Sequence, residues 1–134
     1  MKFNHMRIAR PVQNLEKSLQ MYCLGLGLKK MGDFVDHDGF SGVILGDQGL
    51  AWHLEFTQCL KHPILPQATL DDLLVLYIPN QVDWEHSCEK MLQVGFVVVE
   101  SFNPYWDVNG QTFMDGDGYR TVLQNQQWEI DNQL

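Results

Sequence analysis

The chain has 134 residues, 45% of them hydrophobic, and a formal net charge of −8. This length fits one ordinary domain, and the composition excludes a disordered tail or a collagenous repeat. The surplus of carboxylates repels phosphate backbones, so we do not expect a nucleic acid as a partner.

The chain also lacks the signals of export or membrane insertion. No apolar run approaches the roughly 20 residues needed to cross a bilayer, and the N-terminus has no apolar segment typical of a secretion signal. The three cysteines, Cys23, Cys59 and Cys88, are widely spaced and form no C-x-x-C. Such a pattern is typical of reduced thiols. We therefore predict a cytoplasmic protein without a membrane partner.

The first half of the chain predicts one helix and four strands. A strand over 7–12 precedes an amphipathic helix over 15–24, which begins after Asn14, a favourable N-cap. Gly27 ends this helix, and strands follow near 28–35, 42–46 and 52–57.

The second half repeats this order. A strand over 73–78 leads to a helix over 83–94 that ends at Gly95, and strands follow near 96–102, 111–114 and 120–124. Aligning the two halves on their helix-ending glycines and last strands gives an offset of about 67 residues. The sequence therefore predicts an α+β fold with two βαβββ repeats, about 1–60 and 70–126, in a single domain over 1–134.

The connection between the repeats leaves the assembly open. Each repeat has one helix to cover its sheet, so the other apolar face must be buried against a similar unit. Residues 59–72 contain Pro63 and Pro66 and have no hydrophobic period, which is typical of a linker. This linker could join two halves within one chain or reach into a second chain. Completion of the fold by dimerisation or domain swapping is therefore an alternative.

Three segments resemble one known superfamily over nearly the whole chain. They are Asn14–Ser18 with the following Leu26-Gly27-Leu28, His53–Thr57, and Asp115–Arg120. Together with the two βαβββ halves, they are similar to the vicinal oxygen chelate superfamily, which includes glyoxalase I, extradiol dioxygenases, and fosfomycin- and bleomycin-resistance proteins. The resemblance implies sheets curled into a cup. In the metal-using members, side chains from the first and last strand of each half hold a divalent ion in that cup.

The resemblance also shows which ligand positions have changed. The first ligand, normally a His, falls on Arg7, and the second, a Glu, falls on Glu55. The third falls within 73–76, where every residue is apolar and only Asp72, just outside, could substitute; the fourth, normally a Glu, falls on Val122. A guanidinium has no lone pair to offer a metal. We therefore predict no metal cofactor.

Arg7 and Glu55 stand at positions that normally converge on one ion, so their side chains should lie within hydrogen-bonding reach. We predict that they form a charge-assisted ion pair in place of the metal. The alternative is that both face water at the strand ends.

His5 and His53 offer a fallback metal site. Residues two apart on a strand share a face, so His5 lies beside Arg7 and His53 beside Glu55. A divalent ion held by His5, His53 and Glu55 would make the protein a glyoxalase-like lyase or a dioxygenase. Glu55 is also the candidate catalytic residue without a metal, as the general base of an isomerase or lyase.

The remaining candidates are aromatic and apolar. Tyr105 and Trp106 follow Pro104 between two strands, where they either cap the core or overhang the mouth of the cup. Residues Tyr77, Phe113 and Val122 would add apolar lining. The full set of predicted ligand-binding residues is Arg7, His53, Tyr77, Tyr105, Trp106, Phe113 and Val122.

These observations favour one function over another. No nucleophile motif and no nucleotide-binding glycine motif is present. The favoured function is metal-free sequestration of a small ligand, cationic or aromatic, by a homodimer similar to bleomycin-resistance proteins. The alternative is the metal-dependent lyase or dioxygenase.

Overall fold

The computed structural model describes residues 1–129. By its internal contacts the chain divides into two compact units, Met1–Gln67 and a second that starts at Ala68. No helix within 1–129 is both long enough and apolar enough to span a bilayer.

The first unit has the predicted βαβββ order. Its elements are β1 (Met6–Pro11), α1 (Leu15–Leu26), β2 (Lys29–His37), β3 (Phe40–Gly46) and β4 (Trp52–Cys59). The strands form one sheet in the order β1-β4-β3-β2, in which β1 runs parallel to β4 and the other neighbours are antiparallel.

Helix α1 covers one face of this sheet. The Asn14 side chain accepts a hydrogen bond from the Lys17 amide at 3.0 Å, and Gly27 ends the helix with a φ of 69°. The fully buried Tyr22 ring meets the Phe56 ring edge to face at 4.8 Å between centroids. Because strand residues alternate between faces, the neighbours of Phe56 on β4 point to the face without a helix.

The second unit repeats the order with one addition. It contains β5 (Leu73–Tyr77), α2 (Gln81–Gln93), β6 (Val97–Val99), α3 (Tyr105–Val108), β7 (Gly110–Met114) and β8 (Arg120–Gln124). The sheet order is β5-β8-β7-β6, with β5 parallel to β8. The two βαβββ repeats are therefore confirmed, and the short helix α3 is a feature that the sequence analysis did not predict.

Helix α3 is held in place by hydrogen bonds between its one acidic residue, Asp107, and the buried Ser101. The carboxylate of Asp107 accepts the Ser101 amide at 3.1 Å and the Ser101 hydroxyl at 2.8 Å. The Ser101 hydroxyl is also hydrogen-bonded to Thr112 on β7. These bonds hold the 101–107 segment against β7, so β6 ends at Val99 and not near residue 102 as predicted.

Helix α2 and strand β8 form the centre of the second unit. The Asn80 side chain accepts the Asp83 amide at 2.9 Å, and the Trp84 indole donates to the Leu123 carbonyl at 2.8 Å. Met91 is fully buried, as are all residues of β8 to within a few per cent.

The acidic D-G-D-G-Y segment has a structural role. The Asp115 side chain accepts the amides of Asp117 and Tyr119 at 2.9 and 3.0 Å, and Gly118 has a φ of 90°. These bonds form the turn that returns the chain from β7 to β8.

Candidate functional site

The candidate site is the face of the first sheet opposite α1, which we call the open face. Strand register places Ala9, Glu55, Ile44 and Gly32 side by side across the four strands. Arg7 and His53 pair two residues earlier along β1 and β4. On the other side, Thr57 pairs with Gly42, and Gly42 pairs with Phe34. The open face therefore carries Arg7 and His53 at its polar end and Phe34 at its aromatic end. Between them, Ile44 forms an apolar centre next to Glu55.

Arg7 and Glu55 form an ion pair. Arg7 Nη1 lies 3.3 Å from Glu55 Oε1, and 46% of the Arg7 side chain and 15% of the Glu55 side chain remain exposed. The contact is diagonal across the parallel strands, since the register partner of Arg7 is His53 and that of Glu55 is Ala9. The predicted contact is confirmed.

His5 and His53 form a second pair beside the first. His5 Nε2 lies 2.9 Å from His53 Nδ1, and the ring centroids are 4.0 Å apart at 60°. Partial burial lowers the pKa of His53 below 6.5, and the nearby His5 and Arg7 lower it further. The uncharged form of His53 is therefore favoured, and in the hydrogen bond between the two rings one ring nitrogen donates to the other.

Two glycines of β3 make room for rings on the open face. A Cβ at Gly42 would lie 2.5 Å from Phe34 Cζ and 2.9 Å from the Phe56 carbonyl oxygen. A Cβ at Gly46 would collide with the His53 ring. The two rings therefore lie over backbone, on either side of the half-buried Ile44. Phe34, Ile44 and both glycines were not among the residues predicted from the sequence, although glycine inside a strand is a known sign of close approach.

The donors on this face do not fit a divalent ion. The Glu55 carboxylate forms an ion pair with the Arg7 guanidinium, and the His5 and His53 rings are hydrogen-bonded to each other. Across residues 1–129, no three His, Cys, Asp or Glu side chains converge in a way that could hold a metal. The fallback set of His5, His53 and Glu55 is therefore not arranged as a metal site.

Asp72, the only substitute for the third ligand, has another role. Its carboxylate accepts the amide and the hydroxyl of Thr69 at 2.8 and 2.6 Å, which stabilises the turn before β5.

The second unit separates the predicted lining residues. Val122 pairs with Val75 and Thr112, and Tyr77 pairs with Gln124, so Tyr77 and Val122 lie on the same face. Phe113 pairs with Thr121 and therefore lies on the opposite face. The prediction that Phe113 lines the same surface as Tyr77 and Val122 is wrong. Its register partner is Thr121, and the side chains of Thr121 and its strand neighbour Val122 point to opposite faces of the sheet. Val122 and Phe113 are fully buried, whereas Tyr77 is 37% exposed.

Tyr105 and Trp106 lie on α3. Their rings meet edge to face at 4.9 Å between centroids, Trp106 is half-buried and Tyr105 is 53% exposed. Tyr105 therefore does not cap a core.

Two of the three thiols, those of Cys23 and Cys88, are kept in the unreactive protonated form. Cys88 is buried, and its burial, together with the nearby Glu85, raises its pKa to about 11. Burial also raises the pKa of Cys23. Both therefore remain protonated at neutral pH.

Comparison with known proteins agrees with this geometry. Residues 6–57 match the YycE-like N-terminal domain and residues 71–125 the YycE-like C-terminal domain. YycE of Bacillus subtilis strain 168 is 42% identical over 119 residues, which are 89% of this chain and 86% of YycE.

Solved structures extend the comparison. The crystal structure of YycE from Bacillus subtilis, a protein of unknown function, aligns with a TM-score of 0.87 at 40% identity over 96% of this chain and 93% of YycE. Leishmania major glyoxalase I aligns with a TM-score of 0.71 at 17% identity, over 93% and 88% of the two chains. TnmS3, an antibiotic-binding protein from Streptomyces sp. CB03234, gives 0.64 at 21% identity, over 92% and 97%. The chain therefore belongs to the YycE-like family, within the vicinal oxygen chelate superfamily.

Proposed function

We propose that this protein binds a small organic molecule on the open face of the first sheet and holds it without a metal and without chemical change. The observation that carries this proposal is the Arg7–Glu55 ion pair. It stands where the resemblance implies the first two metal ligands.

The ion pair opposes metal binding for two reasons. A guanidinium has no lone pair, and it repels a divalent cation from the carboxylate that it contacts. A metal at Glu55 would therefore have to displace Arg7 and leave its charge without a partner. The loss of charge-assisted hydrogen bonding makes that exchange unfavourable.

The rest of the open face has the composition of a small-molecule site. Ile44 and Phe34 supply half-buried apolar surface, and Arg7, Glu55 and His53 supply a few convergent polar groups at one end. Ligand pockets are mostly apolar with a small number of orienting polar groups. Tyr77, Tyr105 and Trp106 in the second unit are further candidates for ligand contact.

Two relatives represent the two kinds of function open to this fold. The Leishmania protein is a glyoxalase I, and TnmS3 is an antibiotic-binding protein. Fold alone does not decide between catalysis and binding. The chemistry of Arg7 and Glu55 favours binding, and we extend to this chain the sequestering role, within a cytoplasmic homodimer.

The proposal is tested by the melting temperature of the purified protein with ligands added. One set contains Zn²⁺, Ni²⁺, Mn²⁺ and Fe²⁺, and the other contains cationic antibiotics and aromatic metabolites in the presence of a chelator. A ligand that binds only the folded state raises the melting temperature by mass action. We expect stabilisation by a member of the second set and none by the metals.

A matched variant identifies the site. Ile44→Ser should abolish the shift caused by the organic ligand, because it places a polar group at the apolar centre of the open face. Lys30→Gln should retain it, because Lys30 pairs with Leu45 and faces away from Ile44. Stoichiometric metal binding, or a shift that requires metal, would instead support the lyase or dioxygenase function.

A further inference from the structure

Building on the proposed function, we propose that the ligand of the open face is a flat, uncharged molecule that bears a hydrogen-bond donor and an acceptor side by side, as in an aromatic carboxamide. Of the two ligand classes expected from the sequence, cationic and aromatic, this keeps the aromatic one.

The charges at the polar end of the open face balance each other. Arg7 is neutralised by Glu55, and Lys29 at the start of β2 is neutralised by Asp47, with Nζ 3.4 Å from Oδ1. Next to them, the His5 and His53 rings are hydrogen-bonded to each other. The net charge of −8 is therefore not concentrated at the polar end of the open face.

A charged ligand would disturb this balance. A cation bound to Glu55 would compete with Arg7, and an anion bound to Arg7 would compete with a carboxylate whose side chain is only 15% exposed. The anion leaves the poorly solvated Glu55 carboxylate with a weakened partner, and the cation leaves the Arg7 guanidinium without its charge-assisted hydrogen bond. Both exchanges are unfavourable. The ion pair therefore selects against ligands with a net charge at this position.

The Arg7–Glu55 pair retains hydrogen-bonding capacity for a ligand. Within residues 1–129, Arg7 and Glu55 are joined by a single contact, Nη1 to Oε1. A guanidinium has five N–H donors, and a carboxylate accepts at two oxygens. A ligand that accepts from Arg7 and donates to Glu55 uses this capacity without separating the pair. A carboxamide offers both functions on adjacent atoms.

The surface next to the Arg7–Glu55 pair has a shape that suits a flat ligand. Gly42 and Gly46 let the Phe34 and His53 rings lie over the backbone, with Ile44 between them. Four residues of strand separate the two glycines by about 13 Å. Gly32 and Ala9 flank the central position with little side-chain bulk. This arrangement favours a flat ring lying over Ile44, with its substituent directed at Glu55.

The test uses three nearly isosteric probes that differ in charge: benzamide is neutral, benzamidine is a cation and benzoate is an anion. Each is titrated into the full-length protein at pH 7.5, and dissociation constants are taken from amide chemical shifts in ¹⁵N NMR spectra. We expect benzamide to bind at least about tenfold more tightly than either charged probe. Tighter binding of benzamidine or benzoate would overturn the inference and leave metal-free ligand binding intact.

Charge variants reverse the expected order. Glu55→Gln leaves the cation of Arg7, so benzoate should become the preferred probe. Arg7→Gln leaves the carboxylate of Glu55, so benzamidine should become preferred. The double variant restores neutrality and should again prefer benzamide, and it serves as the decisive protein if a single variant fails to fold. Lys30→Gln is the matched control and should keep the wild-type order.

Two further outcomes contradict the inference. One is an unchanged probe order in all three variants, because the selectivity would then not come from the ion pair. The other is no binding of any probe to the wild-type protein. Failure of the proposed function is separately visible, because it requires that the wider ligand set also gives no metal-independent stabilisation.

Discussion

At the scale of single residues, the two side-chain pairs on the open face explain why similar positions can have different chemistry. A superfamily position that implies a lone-pair donor holds Arg7, and the neighbouring carboxylate of Glu55 is used to neutralise it. His5 and His53 satisfy each other in the same way. Each of these four side chains thus has a polar partner within the chain, which makes it less costly to keep them partly buried.

The ion pair has a measurable effect on stability. Arg7→Leu leaves the weakly exposed Glu55 without a cation, so the free energy of unfolding should fall by about 1 kcal/mol, between the values of surface and buried pairs. The double variant Arg7→Leu/Glu55→Leu should recover part of the loss because it removes both charges. Urea unfolding at pH 7 measures these free energies for the double variant and for Arg7→Leu and Glu55→Leu alone. A loss in the double variant that equals or exceeds the sum of the two single losses would contradict the pairing.

The lowered pKa of His53 predicts a pH dependence of stability. Because its pKa in the folded state lies below 6.5, the unfolded chain binds a proton more readily. This contribution to stability is complete above pH 6.5 and decreases as the pH falls through the folded-state pKa. Urea unfolding between pH 7.5 and 5 should show this decrease, and His53→Gln should make it smaller. An equal pH dependence in both proteins would assign the effect to other groups.

At the scale of elements, β3 determines the shape of the site. Its alternation of Gly42, Ile44 and Gly46 leaves one aliphatic side chain standing between two rings. The neighbours on the other face, Val43 and Leu45, are buried beneath α1. One strand thus supplies both core packing and an open surface.

The glycines of this face predict different responses to the same substitution. Gly42→Ala should destabilise the protein by about 1–3 kcal/mol, because the new Cβ meets both the Phe34 ring and the Phe56 carbonyl oxygen. Gly32→Ala, on the same face, should be tolerated, since its nearest neighbour would be Ile44 Cδ1 at 3.8 Å. Thermal unfolding compares them, and equal losses would rule out the close approach at Gly42.

Helix α3 depends on a single carboxylate. Asp107→Ala removes the acceptor for the Ser101 amide and hydroxyl, and Ser101 is only 7% exposed. We expect a loss of about 1–2 kcal/mol from these unsatisfied groups. Val108→Ala changes the same helix without touching the anchor and should have a small effect. Hydrogen exchange at the Ser101 amide checks the mechanism, because only Asp107→Ala should accelerate it.

At the scale of the whole molecule, the two repeats share an order of elements but differ in chemistry. The open face of the first unit carries the His5–His53 pair and the Arg7–Glu55 ion pair, while the corresponding face of the second carries Tyr77 and Val122. That both repeats form one domain stays a prediction, as does the homodimer.

The homodimer is tested by sedimentation equilibrium. In the proposed homodimer, the first sheet, which α1 covers on one face only, has its other face against a similar unit of a second chain. We expect a mass of twice 15.5 kDa at micromolar concentration. A mass of 15.5 kDa over the whole concentration range would contradict it.

The sequence by itself determined the α+β class, the two βαβββ repeats and the superfamily. These depend on hydrophobic period and on local signals such as the Asn14 cap and the Gly27 helix end, which act within a few residues. It also determined that Arg7 and Glu55 would meet, because the superfamily pattern places β1 beside β4.

Only the tertiary structure decided the rest of the candidate site. Phe113 lies on the opposite face from Val122 because the pairing register of β7 with β8 fixes it, and a shift of one residue reverses every side chain. The closeness of His5 to His53, and the rings over Gly42 and Gly46, depend on contacts between residues far apart in the chain. Local sequence patterns do not encode such contacts, because they arise only when strands pair and side chains pack.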